Sequence, residues 1–226
     1  MLRLLGHWLH DYWHALRGIG NILVYREPPA HYLGHVVAGK APVILIPGVY
    51  EKWQFLKAVA DPISHCGHPV YALTHIGYNL REIRHLSELV WKLIEQEELH
   101  NVVLLAHSKG GLVGKRILAS HNSDGRVKKL IAIATPFSGS EAVRFLPFKN
   151  LSELHPRSAT IIELNKERSI NRHIVSIFGE FDNHVWPTES CRLEGAKNIH
   201  VPVQGHHRIL FDNEVRELVM AEIEMT

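Results

Sequence analysis

The sequence predicts a single α/β domain in which a mostly parallel β-sheet of about six strands is flanked by helices. Short apolar runs alternate with stretches of helical periodicity, and this alternation is typical of right-handed crossovers between parallel strands. A chain of 226 residues is long enough to bury one sizeable core. We find no internal repeat, low-complexity tract or linker that would divide residues 1–226 into separate domains.

Six runs have the length and the continuous apolar character of strands that are covered on both faces. They are PVILIP (42–47), PVYAL (69–73), NVVLLA (101–106), KKLIAIAT (128–135), HIVSIFG (173–179) and KNIHVPV (197–203). Parallel pairing is expected because helical stretches separate them.

Helical periodicity is clearest over residues 79–99, where apolar side chains recur at three- and four-residue steps. These side chains are Leu80, Ile83, Leu86, Leu89, Val90, Leu93 and Ile94. A second helix is predicted over residues 109–120, shortly after the third predicted strand.

The longest interval without a predicted strand is residues 136–172, which include Pro147 and Pro156. One interpretation is a small cap over a site. The other is a surface helix joined by loops, and the sequence favours neither.

Residues 1–30 are predicted to form an N-terminal helical extension. Its apolar positions share one helical face, so the helix is amphipathic. We expect this face to pack against the sheet or to cover its edge. The alternative is peripheral attachment to a membrane, because tryptophan, tyrosine and leucine beside arginine suit a lipid–water boundary. The positions in question are Leu2, Leu5, Leu9, Tyr12 and Leu16, with Trp8 and Trp13 widening the face and Arg3 and Arg17 beside it.

Composition excludes several classes of protein and partner. The formal net charge of +2 is too small to indicate a nucleic-acid surface. Cys66 and Cys191 lie far apart without a CxxC spacing, which disfavours a metal site or a disulfide scaffold and makes a reducing, cytoplasmic location the expectation. His7, His10 and Asp11 interrupt the early apolar residues, so we predict neither a signal peptide nor a transmembrane span.

The stretch LLAHSKGG (104–111) places Ser108 between an apolar run and two glycines. Ala106 and Gly110, two residues to either side, are small enough to avoid the collisions of a strained turn. The strand, tight turn and helix of a nucleophile elbow are therefore all available. The alternative is an ordinary glycine-rich turn with an exposed serine.

A nucleophilic serine requires a histidine base and usually a carboxylate that orients the base. In sheet enzymes of this topology these residues follow in the order serine, acid, histidine, each just beyond the C-terminal end of a strand. Asp182 comes four residues after Phe178, and His206 and His207 follow the predicted strand that ends near Val203. Because the chain has 18 histidines, the joint order and spacing carry more weight than any one histidine.

Five segments together resemble the lipase and esterase branch of the α/β-hydrolase family. They occur in the family's order between residues 47 and 210, and they are PGVYEKW, AHSKGG, IATPFSGS, FDNHVWP and GHHRIL. The resemblance implies Ser108 as nucleophile, Asp182 as the orienting acid and His206 as the base. His207 is the alternative base. Glu180 is the alternative acid, but Asp182 ahead of NHVWP fits the family pattern better.

The resemblance also implies an oxyanion hole of two backbone N–H groups, one from Lys109 and one from Val49. Tyr50 is the alternative to Val49. This chain has Pro47-Gly48 where relatives often have His-Gly, a difference that leaves the backbone donors in place. The side chain of Lys109 is expected to point to solvent, with contact to a polar or acidic part of the substrate as the alternative.

Finally, the resemblance places TPFSGS (135–140) beside the acyl pocket, which Phe137 and Tyr50 are expected to line. It implies hydrolysis of small-molecule or lipid carboxylic esters through an acyl-enzyme, without a metal or an organic cofactor. An acyltransferase or thioesterase with the same triad is one alternative. A non-catalytic binding protein of the same fold is another, since a fold does not guarantee chemistry. The oligomeric state stays open.

Overall fold

A computed structural model describes residues 2–145 and 149–226, with backbone only for residues 2–5, 149 and 150. All six predicted strands are present and all pair in parallel. The strands are β1 (Val43–Ile46), β2 (Val70–Ala72), β3 (Val102–His107), β4 (Val127–Ile133), β5 (Ile174–Phe181) and β6 (Lys197–Gln204). They form one sheet in the order β2-β1-β3-β4-β5-β6. The prediction of a six-stranded parallel sheet flanked by helices is confirmed.

Seven α-helices lie in the described part of the chain. They are α1 (Leu2–Val24), α2 (His31–Gly34), α3 (Lys57–His65), α4 (Ile83–Gln96), α5 (Lys109–Ser120), α6 (Ala159–Lys166) and α7 (Asn213–Glu224). The prediction for residues 109–120 matches α5. Helix α4 is shorter than predicted, because Glu82 is extended and a carboxylate oxygen of Glu153 accepts the N–H of Ile83, so Leu80 lies outside the helix.

Two apolar layers cover the sheet. Side chains of Ile44 and Ile46 face the layer formed with α4, α5 and α6. Val43 and Leu45, one residue out of step, face the layer formed with α3 and α7. This alternation follows from the two-residue period of a strand, and burial on both sides explains the continuous apolar runs in the sequence.

The strand order reverses direction between β1 and β3, which are neighbours in the sheet although β2 separates them in sequence. Loops at the C-terminal ends of parallel strands diverge at such a point and leave a crevice. The loops that follow β1 and β3 therefore border a natural binding site.

The interval 136–172 contains short 3-10 helices at Glu141–Phe145 and Lys149–Leu154, followed by α6. A third 3-10 helix, Ser169–His173, leads into β5. Pro147, which the sequence analysis singled out, lies outside the described residues.

Helix α1 buries two polar residues and a glycine and exposes most of its large apolar residues. Asp11 and His14 are buried, and Gly18 packs against the ring of Phe55. Leu9 and Leu16 are exposed, as are Tyr12 and Trp13. The expectation that the apolar face packs on the sheet is therefore wrong for Leu9, Tyr12, Trp13 and Leu16. Trp8 is half-buried, and the side chains of Leu2 and Leu5 are not described. No helix among the described residues is long and apolar enough to cross a membrane.

Substituting Gly110 with alanine should destabilise the fold by about 2 kcal/mol, because overpacking a rigid contact costs roughly that much. A Cβ at this position would lie 2.2 Å from the carbonyl oxygen of Ile46, so the backbone of α5 would have to move away from β1. Gly20→Ala is the matched control. Gly20 lies within α1 and a Cβ there meets nothing within 4 Å, so the substitution should stabilise the fold by about 0.5–1 kcal/mol. Urea denaturation measures both; equal effects would contradict the close approach.

Candidate active site

Ser108 lies on a sharp turn between β3 and α5, with φ 52° and ψ −124°. Few residues other than glycine adopt this left-handed conformation, so neighbouring contacts must hold it. The Ser108 N–H donates to the carbonyl of Ile133 at 2.9 Å. Its carbonyl accepts the hydroxyl of Thr135 at 2.9 Å and the N–H of Gly111 at 3.0 Å. The arrangement is that of a nucleophile elbow.

His206 and Asp182 meet beyond the ends of β6 and β5. Nδ1 of His206 lies 2.7 Å from Oδ2 of Asp182, and both side chains are buried. The other carboxylate oxygen of Asp182 accepts the N–H groups of His184 at 2.7 Å and Val185 at 2.8 Å. Burial alone would raise the pKa of Asp182, but attraction to His206 and these hydrogen bonds outweigh it and lower the pKa. The carboxylate is therefore ionised and orients the imidazole.

The alternative acid and the alternative base have other partners, although His207 lines the same cavity as His206. Glu180 is exposed and accepts a hydrogen bond from Gln204. His207 points its Nδ1 at Asp11, 3.1 Å away, instead of at Asp182. Of the two candidate acids and two candidate bases, only Asp182 and His206 contact each other as acid and base.

Ser108 and His206 line one cavity of about 250 Å³. No hydrogen bond joins Ser108 Oγ to Nε2 of His206 among the described residues. Such bonds are often long before substrate binds and tighten in the complex, so the shared cavity is the relevant observation. Apolar residues dominate the rest of the lining: Val49, Pro136, Val143, Leu151, Leu154 and Val185.

Two backbone N–H groups are the candidates for an oxyanion hole. No hydrogen bond in the described part of the chain uses the N–H of Val49. Lys109 is the first residue of α5, where an N–H has no acceptor within the helix. The N–H of Tyr50, the alternative donor, is already bonded to the carbonyl of Tyr78 at 2.8 Å.

Two side chains differ from expectation. Phe137 is fully buried in the core and does not line the cavity, whereas its neighbour Pro136 does; Tyr50 also lines it. Lys109 is buried instead of pointing to solvent, and its ammonium donates to the carbonyl of Arg81 at 2.5 Å. Burial lowers the pKa of Lys109 to about 8. Lys109 therefore stabilises the loop around residue 81 through this hydrogen bond.

No family model matches the sequence. The chain is 28% identical over 117 residues to haloalkane dehalogenase 1 of Mycobacterium tuberculosis, a match of 47% of this chain and 38% of that protein. It thus spans about two fifths of the length of this curated relative. An α/β hydrolase enzyme from the sediment metagenome of the Mar Chica lagoon, Morocco, has a TM-score of 0.63 at 17% identity, with 82% of this chain and 91% of that chain covered. A Bacillus licheniformis lipase has a TM-score of 0.62 at 15% identity, with 87% of this chain and 96% of that chain covered.

The protein has the α/β-hydrolase fold. In this fold, Ser108 lies on the sharp turn between β3 and α5, at the C-terminal end of a central strand. The resemblance noted in the sequence thus agrees with the topology of the sheet and with the position of the elbow.

The site contains a buried ion pair that sequence reasoning missed. Both carboxylate oxygens of Glu51 lie within 2.9 Å of Nδ1 of His107, and one of them accepts the N–H of Gly48 at 2.7 Å. Nε2 of His107 lies 3.0 Å from the carbonyl oxygen of His206. A carbonyl oxygen and an ionised carboxylate can only accept hydrogen bonds, so both ring nitrogens of His107 carry protons and donate. The ring is an imidazolium.

The pKa values of this pair agree with the geometry. Burial alone would raise the pKa of Glu51, but the charge and hydrogen bond of His107 outweigh it and lower the pKa to about 2. Burial alone would lower the pKa of His107, but Glu51 reverses the effect and raises it. The pair therefore ties the Gly48 loop, the elbow and the His206 loop together.

Asp11 of α1 extends these contacts to the N-terminal helix. One carboxylate oxygen accepts the N–H groups of His207 at 2.7 Å and Arg208 at 2.9 Å, and the other faces Nδ1 of His207. A Cβ on Gly205 would lie 2.6 Å from the carboxylate, so only glycine permits this approach. Hence α1 holds the loop that carries His206. In the sequence, Asp11 was visible only as an interruption of an apolar stretch.

One group among the described residues could hold a metal ion. Asp11, His184 and His207 place their ligand atoms within 4.8 Å of one another. Nε2 of His184 is buried without a hydrogen-bond partner. Burial and the neighbouring His206 and His207 lower the pKa of His184 to about 3, so its ring is neutral.

Glu51→Gln should destabilise the protein by about 3 kcal/mol at neutral pH, because removing one partner leaves the buried charge of His107 unpaired. Glu180→Gln, which alters an exposed glutamate, is the control and should be neutral. Guanidinium denaturation of both variants measures the difference. Equal stability of Glu51→Gln and the wild type would refute the ion pair.

The stability difference between wild type and Glu51→Gln should depend on pH. The folded-state pKa of Glu51, about 2, lies below its ordinary value of 4.5. The contribution of Glu51 to the free energy of unfolding is therefore complete above pH 4.5 and is lost as the pH falls toward 2. Denaturation curves at several pH values in this range measure the effect. A difference that stays constant across the range would show that Glu51 is not ionised in the fold.

Proposed function

We propose that this protein is a serine hydrolase that cleaves carboxylic esters through an acyl-enzyme. The observation that carries the proposal is the convergence of a left-handed Ser108 and the Asp182–His206 pair on one cavity. One of the similar structures is a lipase, which supports the proposal of a hydrolase. The chain's own residues supply a nucleophile, a base, an acid and two backbone donors.

In the proposed reaction, Ser108 Oγ attacks the acyl carbon while its proton passes to Nε2 of His206. Asp182 stabilises the imidazolium through Nδ1. The carbonyl oxygen of the ester becomes negatively charged and accepts hydrogen bonds from the N–H groups of Val49 and Lys109. His206 then protonates the departing alcohol, which leaves an ester on Ser108. Water attacks that ester with His206 as base, releases the carboxylic acid and restores the serine.

The cavity indicates an apolar acyl group of modest size. Val143, Leu151 and Leu154 belong to the interval 136–172 and line it. We therefore assign this interval as a small cap over the acyl pocket, with 1–30 as a helical extension of the same single domain. A small-molecule or lipid ester suits the lining, and the reaction requires no metal or organic cofactor. Transfer of the acyl group to an alcohol or thiol, or hydrolysis of a thioester, would use the same residues.

A cytoplasmic location and peripheral contact with a membrane through α1 belong to the proposal. Cys66 and Cys191 are unpaired, which suits a reducing compartment. The exposed apolar residues of α1 suit a lipid interface.

Labelling with a fluorophosphonate probe tests the activated serine. We expect the wild type to be labelled and Ser108→Ala to take no label, while Ser123→Ala, a matched change of an exposed serine, is labelled normally. His206→Ala and Asp182→Asn should lower kcat on p-nitrophenyl esters by about 10⁴-fold, because each disables the general base. His100→Ala, a change of an exposed histidine, is the control. A folded wild type that takes no label would favour a binding protein with the same fold.

Narrowing the cavity should change the acyl-chain preference. Val143→Phe is expected to lower kcat/KM for long p-nitrophenyl esters at least about tenfold, since one methylene in an apolar pocket is worth roughly that much. The acetate ester should be almost unaffected. Ile162→Phe, on the exposed side of α6, is the control. A uniform loss across the series would show that Val143 does not bound the acyl site.

A further inference from the structure

The outward side of α1 is an apolar surface that the described part of the chain leaves largely uncovered. Leu9 is 66% exposed, Trp13 61%, Leu16 57% and Leu23 75%. These positions are spaced three, four or seven apart, so they lie on one helical face. The inward side of the same helix carries the buried Asp11 and His14. Contiguous apolar surface of this kind marks an interaction site.

We propose that this face docks on an anionic lipid surface and that the enzyme draws its ester substrate from that surface. The statement about substrate rests on the proposed esterase function, whereas the docking does not. The α1 outer face is defined by Leu9, Tyr12, Trp13, Leu16, Ile19 and Leu23.

Charge favours an anionic lipid as the occupant. Asp11 is the sole acidic residue in the sequence of α1, and it is buried against His207 and Arg208. Arg17, beside the outer face, is exposed. The guanidinium of Arg17 lies 4.6 Å from the ring centroid of Phe211, at the edge of the outer face. The exposed side of the helix therefore carries this one described arginine and no acidic residue beside leucine, tryptophan and tyrosine, a combination that suits the boundary of acidic membranes.

The α1 outer face continues to the cavity. The ring of Tyr12 lies 6.0 Å from that of His184, which lines the cavity. Trp8 contacts Trp186 at 6.5 Å, and Trp186 in turn contacts the exposed ring of Phe145 at 6.1 Å. A lipid surface on α1 would therefore lie close to His184 of the cavity lining. This continuity identifies the substrate class as an ester carried by a membrane lipid.

Flotation of the full chain with phosphatidylcholine vesicles, with and without phosphatidylserine, tests the docking. We expect the wild type to float with the anionic vesicles, and the triple variant Leu9→Glu, Trp13→Glu, Leu16→Glu to bind at least about 100-fold more weakly. Trp13→Glu alone provides a milder variant. Ile162→Glu and Met225→Glu, at exposed apolar positions on other elements, are the matched controls and should bind normally. Arg17→Gln should weaken binding to anionic vesicles about fivefold.

Activity separates the two proposals. The triple variant should hydrolyse a water-soluble short p-nitrophenyl ester as fast as the wild type, but should lose activity on an ester embedded in anionic vesicles in proportion to its lost binding. Ser108→Ala should float normally and hydrolyse neither ester. Flotation without hydrolysis by the wild type would defeat the esterase and leave the docking intact.

Three outcomes would overturn the docking proposal. The first is a wild type that floats with neither vesicle, and the second is equal flotation of the triple variant and the wild type. The third is a dimer in size-exclusion chromatography that the triple variant converts to a monomer without any vesicle binding, because the α1 outer face would then pair with a second copy of the chain.

Discussion

The buried ion pair between Glu51 and His107 is the interaction on which the site depends. Glu51 follows β1, His107 ends β3, and the carbonyl that His107 contacts belongs to His206 after β6. Three loops from separate strands thus share one pair of opposite charges. The pair is shielded from water, so screening is weak, and losing either partner would leave a charge buried without compensation. Catalytic groups on loops need such support because their geometry must hold to a fraction of an ångström.

The polar inner side of α1 follows from the same arrangement. Asp11 faces His207, whose Nε2 lies 3.5 Å from Glu51. The helix therefore contributes a carboxylate to the interior, and most of its described apolar residues remain exposed. Amphipathic periodicity specifies two faces of a helix but not which one is buried. In α1 the hydrogen bonds of Asp11 with His207 and Arg208 decide the orientation.

The sequence predicted the features that depend on local pattern. Continuous apolar runs predicted six strands, and Ala106, Ser108 and Gly110 predicted the sharp turn before α5. Asp182 and His206, which the family resemblance had named together, do meet, but other features that depend on contacts distant in sequence were missed or wrong. Phe137 was placed in the pocket, but the chain turns its ring into the core and leaves Pro136 at the cavity. Lys109 was expected in solvent, although the carbonyls of residues 79 and 81 accept its ammonium. Glu51 and His107 both stood inside quoted motifs, but their pairing joins positions 56 residues apart.

The most direct test of the account is the formation of a covalent intermediate on Ser108. A p-nitrophenyl carbamate is the suitable reagent, because a carbamoyl-enzyme hydrolyses slowly and accumulates. The account predicts release of one equivalent of p-nitrophenol per chain, with the carbamoyl group found by mass spectrometry on the peptide that contains Ser108. Steady hydrolysis of p-nitrophenyl acetate by a protein whose Ser108 never becomes carbamoylated would contradict it.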